Sequence, residues 1–147
     1  MGGVAKLFDG HVLNKSNESV DLNDAKYKDM VIGLYFSAHW CCPCRDFTPK
    51  LIEFYKSYGK EKKFEIIFIS SDDDDESFNR YYEEMPWLTL AFKAADKKEE
   101  IKEKFKAFSI PRLILLDGNS GDTVCSDARY QIERHDTKGE KFPWKSS

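Results

Sequence analysis

His39-Trp40-Cys41-Cys42-Pro43-Cys44-Arg45 carries three of the four cysteines in the chain. The run before it, Met30-Val31-Ile32-Gly33-Leu34-Tyr35-Phe36, is apolar throughout and predicts a central strand covered on both faces. The run after it predicts a helix ending near Tyr58, with Gly59 as its stop. Leu51, Phe54, Tyr55 and Tyr58 recur at i, i+3, i+4 and i+7 and give that helix one buried face. Pro49 inside it removes a backbone bond and predicts a kink. The Cys-x-x-Cys pair, Cys41 and Cys44, thus falls where a strand ends and a helix begins. Unpaired N–H groups at a helix start stabilise a thiolate, so a dithiol placed there becomes reactive.

Working outward, Phe64 to Ser70 is a second apolar strand. In the acidic run Ser71 to Glu76, Ser71 or Asp72 is expected to cap the next helix, with the other carboxylates facing its positive end. Calcium-loop spacing is absent there. That helix carries Phe78, Tyr81, Tyr82 and Met85 on one face and ends before Pro86. A short extended segment follows at 87–92, then a helix from Asp96 to Phe108 with Ile101, Phe105 and Phe108 as its buried face. Arg112 to Leu116 is a strand, 117–122 a turn, Thr123 to Cys125 its hairpin partner, and Asp127 to Arg134 a short helix. Near the N-terminus, His11 to Leu13 and Ser19 to Leu22 are candidate strands around a polar turn. Alternating strands and helices predict an α/β fold: a central mixed sheet with helices on both faces and a C-terminal β-hairpin, in one domain over 1–147.

The 147 residues are 41% hydrophobic and 33% charged, with a net charge of −3. That balance describes a globular chain and gives no reason to expect nucleic acid or an anionic membrane as partner. No apolar run approaches the roughly 20 residues of a membrane span. The opening Met1-Gly2-Gly3-Val4-Ala5-Lys6 lacks the secretory pattern, which points to the cytoplasm or the nucleus. Thiols stay reduced there, so Cys-x-x-Cys reads as redox catalysis or metal binding rather than a structural staple.

Several separated stretches resemble one family. They are Phe36 to Cys41, Cys44-Arg45, Phe47-Thr48-Pro49, Phe64 to Phe68, Glu76-Ser77-Phe78, Met85-Pro86-Trp87-Leu88, Ile110-Pro111 and Phe142-Pro143-Trp144. Together they are similar to the thioredoxin superfamily, in its tryparedoxin and nucleoredoxin branch. The resemblance implies a thioredoxin-like fold and reduction of protein disulfides by dithiol exchange. It implies Cys41 as nucleophile, Cys44 as resolving thiol, and a cis Ile110–Pro111 bond facing them. Peroxiredoxins are among the implied substrates. The electron donor would be a thioredoxin reductase, glutathione or trypanothione. The redox-active dithiol would need no cofactor, and the protein is expected to act as a monomer.

Within that frame Cys44 lies nearly one turn beyond Cys41 and beneath it, able to reach its sulfur but not solvent. Pro43 suits the first helical positions. Trp40 is either a flat contact surface beside the nucleophile or an ordinary packing residue. Arg45 either favours the thiolate or is a solvated helix arginine. Arg112, where thioredoxins usually carry threonine, would direct the site towards acidic partner surfaces. Thioredoxins also bury an aspartate–lysine pair at the positions held here by Tyr35 and Phe68. Proton transfer must therefore use water, Tyr35 or another route. Cys42, where the branch usually has proline, is either a permissive surface change or a third redox thiol. Cys125 reads as a small buried residue. Two other functions stay open: a redox-sensing adaptor that binds a signalling partner, and a metal site built from His39, Cys41, Cys42 and Cys44.

Overall fold

The computed structural model describes residues 3–145. Met1 and Gly2, on which the N-terminal reading begins, lie outside the described residues, as do Ser146 and Ser147. The order is α1 (Gly3–Phe8), β1 (Val12–Leu13), a 3-10 turn (Ala25–Tyr27), β2 (Val31–Ser37), α2 (Cys42–Tyr58) and β3 (Phe64–Ser70). Then come α3 (Asp75–Tyr82), β4 (Leu88–Leu90), α4 (Ala95–Phe105), β5 (Arg112–Asp117), β6 (Thr123–Cys125) and α5 (Ala128–Tyr130). A single wide turn, Gln131–His135, continues α5.

The strands form one mixed sheet in the order β1-β4-β3-β2-β5-β6. β2 and β3 run parallel over seven residue pairs, and β5 lies antiparallel on the other side of β2. Strand periodicity sends alternate residues to opposite faces. Phe64, Ile66, Phe68, Leu113 and Leu115 therefore join α2, α3 and α5 in one core. Ile67, Ile69, Ile114, Leu116, Leu34 and Phe36 join α1 and α4 in the other. Both faces of β2 are covered, which is why its sequence is apolar without alternation. Gly33 leaves room for the Phe64 ring, which would stand 2.9 Å from an added Cβ. At the far end of α2, Phe142 and Trp144 lie against Phe54 with ring centroids 6.0 and 6.1 Å away.

Three expectations need correction. Ser19 to Leu22 is not a strand: Ser19 makes one isolated bridge to Leu13, and the chain then turns away. α3 is capped by Asp74, whose carboxylate accepts the Ser77 N–H at 2.8 Å, and not by Ser71 or Asp72. α4 stops at Phe105, because Lys106 adopts the left-handed conformation (φ 53°). Phe108 consequently lies outside the helix and is 69% exposed rather than buried. Gly59 does end α2, but in a right-handed conformation (φ −56°), without the left-handed cap that glycine favours.

Candidate active site

β2 ends at Ser37, and the next four residues lead into α2. Cys41 is the N-cap of that helix, in extended conformation, and its Sγ accepts the backbone N–H of Cys44 at 3.3 Å. The sulfur thus takes the position usually held by a capping oxygen, against the positive end of a 17-residue helix. Cys42 and Pro43 form the exposed outer side of the first turn. Cys41 is 6% exposed and Cys44 is fully buried. They cluster with Ala38, and Ile110 packs on that cluster. The Ile110–Pro111 bond is cis. The cis-proline turn and the dithiol, 66 residues apart in sequence, therefore meet as the resemblance implies.

The loop is held by a residue the sequence reading assigned elsewhere. Asp72 is 3% exposed, and its carboxylate accepts the His39 N–H at 2.8 Å and the Ser70 hydroxyl at 2.7 Å. Ser71 N–H meets the Ser37 carbonyl at 2.9 Å, closing the same corner between β2 and β3. Trp40 is 60% exposed, with its indole N–H 3.4 Å from the Ser71 carbonyl. Packing is thereby ruled out as its main role, and its ring is left as a surface beside the dithiol. The His39 ring stands edge-on to Tyr81 at 5.8 Å. Among the described residues, no group of three or more His, Cys, Asp or Glu could hold a metal ion.

Beneath the dithiol lies a cluster of hydroxyls. Thr48, one turn after Cys44, donates to the Cys44 carbonyl at 2.8 Å. Tyr81 from α3 is 2.6 Å from the Thr48 hydroxyl and 2.7 Å from that of Ser37. Tyr35, fully buried on β2, reaches Thr48 at 2.5 Å. Burial pushes both tyrosines above their usual range, so both are neutral phenols at physiological pH. Burial, reinforced by the hydrogen bond with Cys41, pushes the Cys44 thiol up to about 12, while hydrogen bonding from Ser37 and the Ala38 backbone pulls the other way.

Other predicted site residues separate. Arg45 is exposed and, among the described residues, in no ion pair; it lines a cleft with Asp46, Thr48, Tyr81 and Glu84. Arg112 donates to the Lys106 and Ser126 carbonyls at 3.3 and 3.4 Å. It ties the cis-proline turn to the loop after β6, and among the described residues no carboxylate pairs with its charge. Cys42 is exposed, which suits a surface substitution and a third redox thiol alike, and Cys125 is buried. Asp72, Ser37, Thr48 and Tyr81 are what the sequence reading missed. The one available signal was a polar side chain at the end of an otherwise apolar run, at Ser37.

The thioredoxin-like family matches residues 29–123. The tryparedoxin of Trypanosoma brucei brucei is 40% identical over 146 residues, covering 98% of this chain and 99% of that one. The nucleoredoxin of Danio rerio is 35% identical over 141 residues, covering 95% of this chain but 33% of that longer protein. A solved tryparedoxin from Trypanosoma brucei, 38% identical, superposes with a TM-score of 0.92 over 99% of this chain and all of that one. A tryparedoxin II solved in complex with glutathionylspermidine, 35% identical, gives 0.91 over 98% of this chain and 99% of that one. Sequence and fold thus agree over almost the whole length, and the chain belongs to the thioredoxin-like family, as a thiol–disulfide oxidoreductase of the tryparedoxin and nucleoredoxin branch.

Proposed function

We propose that Cys41 is the attacking thiol, Cys44 the resolving one, and that the protein reduces disulfides of other proteins, peroxiredoxins among them. The observation that carries this is the asymmetry of the pair. The Cys41 sulfur caps a helix start beside an exposed tryptophan and Ile110, whereas the Cys44 thiol is fully buried and its burial strongly disfavours ionisation. Attack of Cys41 on a partner disulfide gives a mixed disulfide. Attack of Cys44 on the Cys41 sulfur then releases the partner's thiol and leaves Cys41–Cys44 oxidised. Trp40, Pro43 and Ile110 form the surface a partner chain meets, with Pro111 buried next to Ile110; Arg45 borders it, and Arg112 braces it from behind.

Electrons would return from a small polyamine-linked thiol, glutathionylspermidine or the dithiol trypanothione. The likeness to a protein solved with glutathionylspermidine favours this over glutathione or a thioredoxin reductase. The dithiol itself serves as the redox group, with no added cofactor. Residues 1–147 act as one monomeric unit in a reducing compartment, cytoplasm or nucleus. A Cys44→Ser variant should trap a mixed disulfide at Cys41 with its protein substrate, and peroxiredoxin reduction should be fastest with the polyamine-linked thiols. Trapping through Cys42 instead would overturn the assignment. The nucleoredoxin likeness supports one other reading, a redox-sensing adaptor. It predicts a partner whose binding follows the redox state of the dithiol without turnover; equal binding by Cys41→Ser protein in either redox state would favour plain scaffolding over exchange.

A further inference from the structure

We propose that Phe108 is a specificity-determining contact for protein substrates: a fixed aromatic ring beside the dithiol that takes an apolar side chain, with a carboxylate next to it, about two residues from the substrate's disulfide cysteine. This rests on the reading of Cys41 as the attacking thiol.

Exposure alone would not single the ring out, since isolated apolar groups are ordinary on a protein surface. Its position does. Among the described residues the exposed large hydrophobic side chains are Trp40, Phe108 and Tyr130. Tyr130 already has company, with the Arg129 and Arg134 guanidinium groups 5.1 and 5.8 Å from its ring centre. Trp40 directly precedes Cys41. Phe108 stands two residues before Ile110, which packs on the cluster of Ala38, Cys41 and Cys44. Two residues of chain span at most about 7 Å, so the Phe108 backbone lies within that distance of the Ile110 backbone. A protein segment that brings a disulfide to Cys41 therefore passes close to Phe108, and the ring continues the exchange surface along the cis-proline turn.

The backbone explains why this ring is outside. The Ala107 N–H bonds to the Lys102 carbonyl at 2.9 Å and the Lys106 N–H to the Glu103 carbonyl at 3.2 Å, with Lys106 left-handed between them. These are the two bonds of a Schellman motif, whose apolar position is filled here by Ala107, 1% exposed. The core below α4 thus takes Ala107, and the next residue is turned away from it. Arg112 fixes the turn from β5 through the Lys106 carbonyl and holds the Ser126 carbonyl as well. A ring on a turn held at both ends has little freedom left to lose on binding, which suits an interface anchor. Lys106 and Arg112 put positive charge on the same turn, and among the described residues neither is in an ion pair. That charge selects a segment with a carboxylate beside its apolar residue and disfavours a cationic polyamine at this spot.

The test uses the full chain carrying Cys42→Ser, so that the exposed thiol is silent, and symmetric disulfides of short one-cysteine peptides. The peptides carry leucine or serine two residues to either side of the cysteine, with aspartate or lysine beyond. The parent should reduce the leucine–aspartate peptide with a kcat/KM about fivefold above the serine–aspartate one, the scale of a single well-placed aromatic contact. It should also prefer leucine–aspartate to leucine–lysine, and less so at high salt. Phe108→Ser should bring the leucine and serine peptides to one rate, while reduction of 2-hydroxyethyl disulfide stays at the parent rate and shows the dithiol intact. Phe108→Leu should restore most of the preference. A leucine preference that survives Phe108→Ser, or none in the parent, overturns the docking role, and equal rates for the aspartate and lysine peptides overturn the carboxylate part of it. So does a parent dimer in sedimentation that Phe108→Ser dissolves, because the ring is then covered by a second copy. If Cys41→Ser still reduces 2-hydroxyethyl disulfide, the nucleophile assignment itself fails, whatever Phe108 does.

Discussion

Asp72 shows how much one side chain settles at this site. Its carboxylate is buried and holds the His39 N–H just before Trp40 and Cys41. Asp72→Ala leaves that buried N–H unpaired and should cost about 1.5–3 kcal/mol in urea unfolding, with Asp72→Asn costing less because the amide oxygen still accepts. Nothing local in the sequence singles it out. Asp72 to Asp75 are four identical residues in a row, and cap statistics suit several of them. Asp74 is the cap because its backbone is extended three residues before Ser77; Asp72 is drawn inward by a partner 33 residues earlier. The dithiol is the opposite case: its spacing and flanking strand made it legible at once. Cys42, exposed on the first turn, should be the thiol a maleimide labels in native oxidised protein, with Cys41 and Cys44 bridged. Protection of Cys42 there, or labelling of Cys44, would contradict that.

Among the elements, β2, α2, β3 and β5 were read correctly because their patterns are strong enough to survive any neighbour. α4 was read three residues too long, since apolar periodicity continues through Phe108 while the backbone reverses at Lys106, and the sequence carries no glycine to announce it. The Ser19 to Leu22 alternation is real, but with one bridge it finds no strand to pair with. The C-terminal strap makes its own prediction. Asp136 accepts the Glu140 and Lys141 N–H groups and the Trp144 indole N–H. Burial works against its charge, but these bonds and the nearby Lys62 hold its carboxyl below the ordinary value. A depressed folded-state pKa stabilises above the unfolded value and is lost as the pH falls through the folded one. The urea-unfolding gap between the parent and Asp136→Asn should therefore be full above about pH 5 and close below about pH 4.

At the scale of the whole molecule, the layered α/β plan was visible in the alternation of strands and helices, but the sheet order was not. β1 sits at the edge against β4, a pairing of two residues across nearly eighty in sequence that no local pattern encodes. The core on the α2 side is where stability is concentrated. Leu51, fully buried there, should cost about 3 kcal/mol when cut to alanine. For a chain of this size that lowers the melting temperature by roughly 10 °C. Trp87 in the same core is 1% exposed, and its indole N–H has no partner among the described residues. Trp87→Phe loses volume but also removes a buried unpaired donor, which costs about 1–3 kcal/mol where it stands. It should therefore destabilise less than Leu51→Ala in the same assay; a larger loss would mean the N–H is paired in solution.

Cys125 ends a three-residue strand at the sheet margin, opposite Leu115 and one residue before the carbonyl that Arg112 holds. Burial also pushes its thiol above the ordinary range. An alkylating reagent can reach it only when that margin lifts, so its labelling rate serves as a clock for local opening. The clamp places the clock one step from the cis-proline turn. A sulfur outside the Cys-x-x-Cys pair would then keep time for the docking of partners beside it.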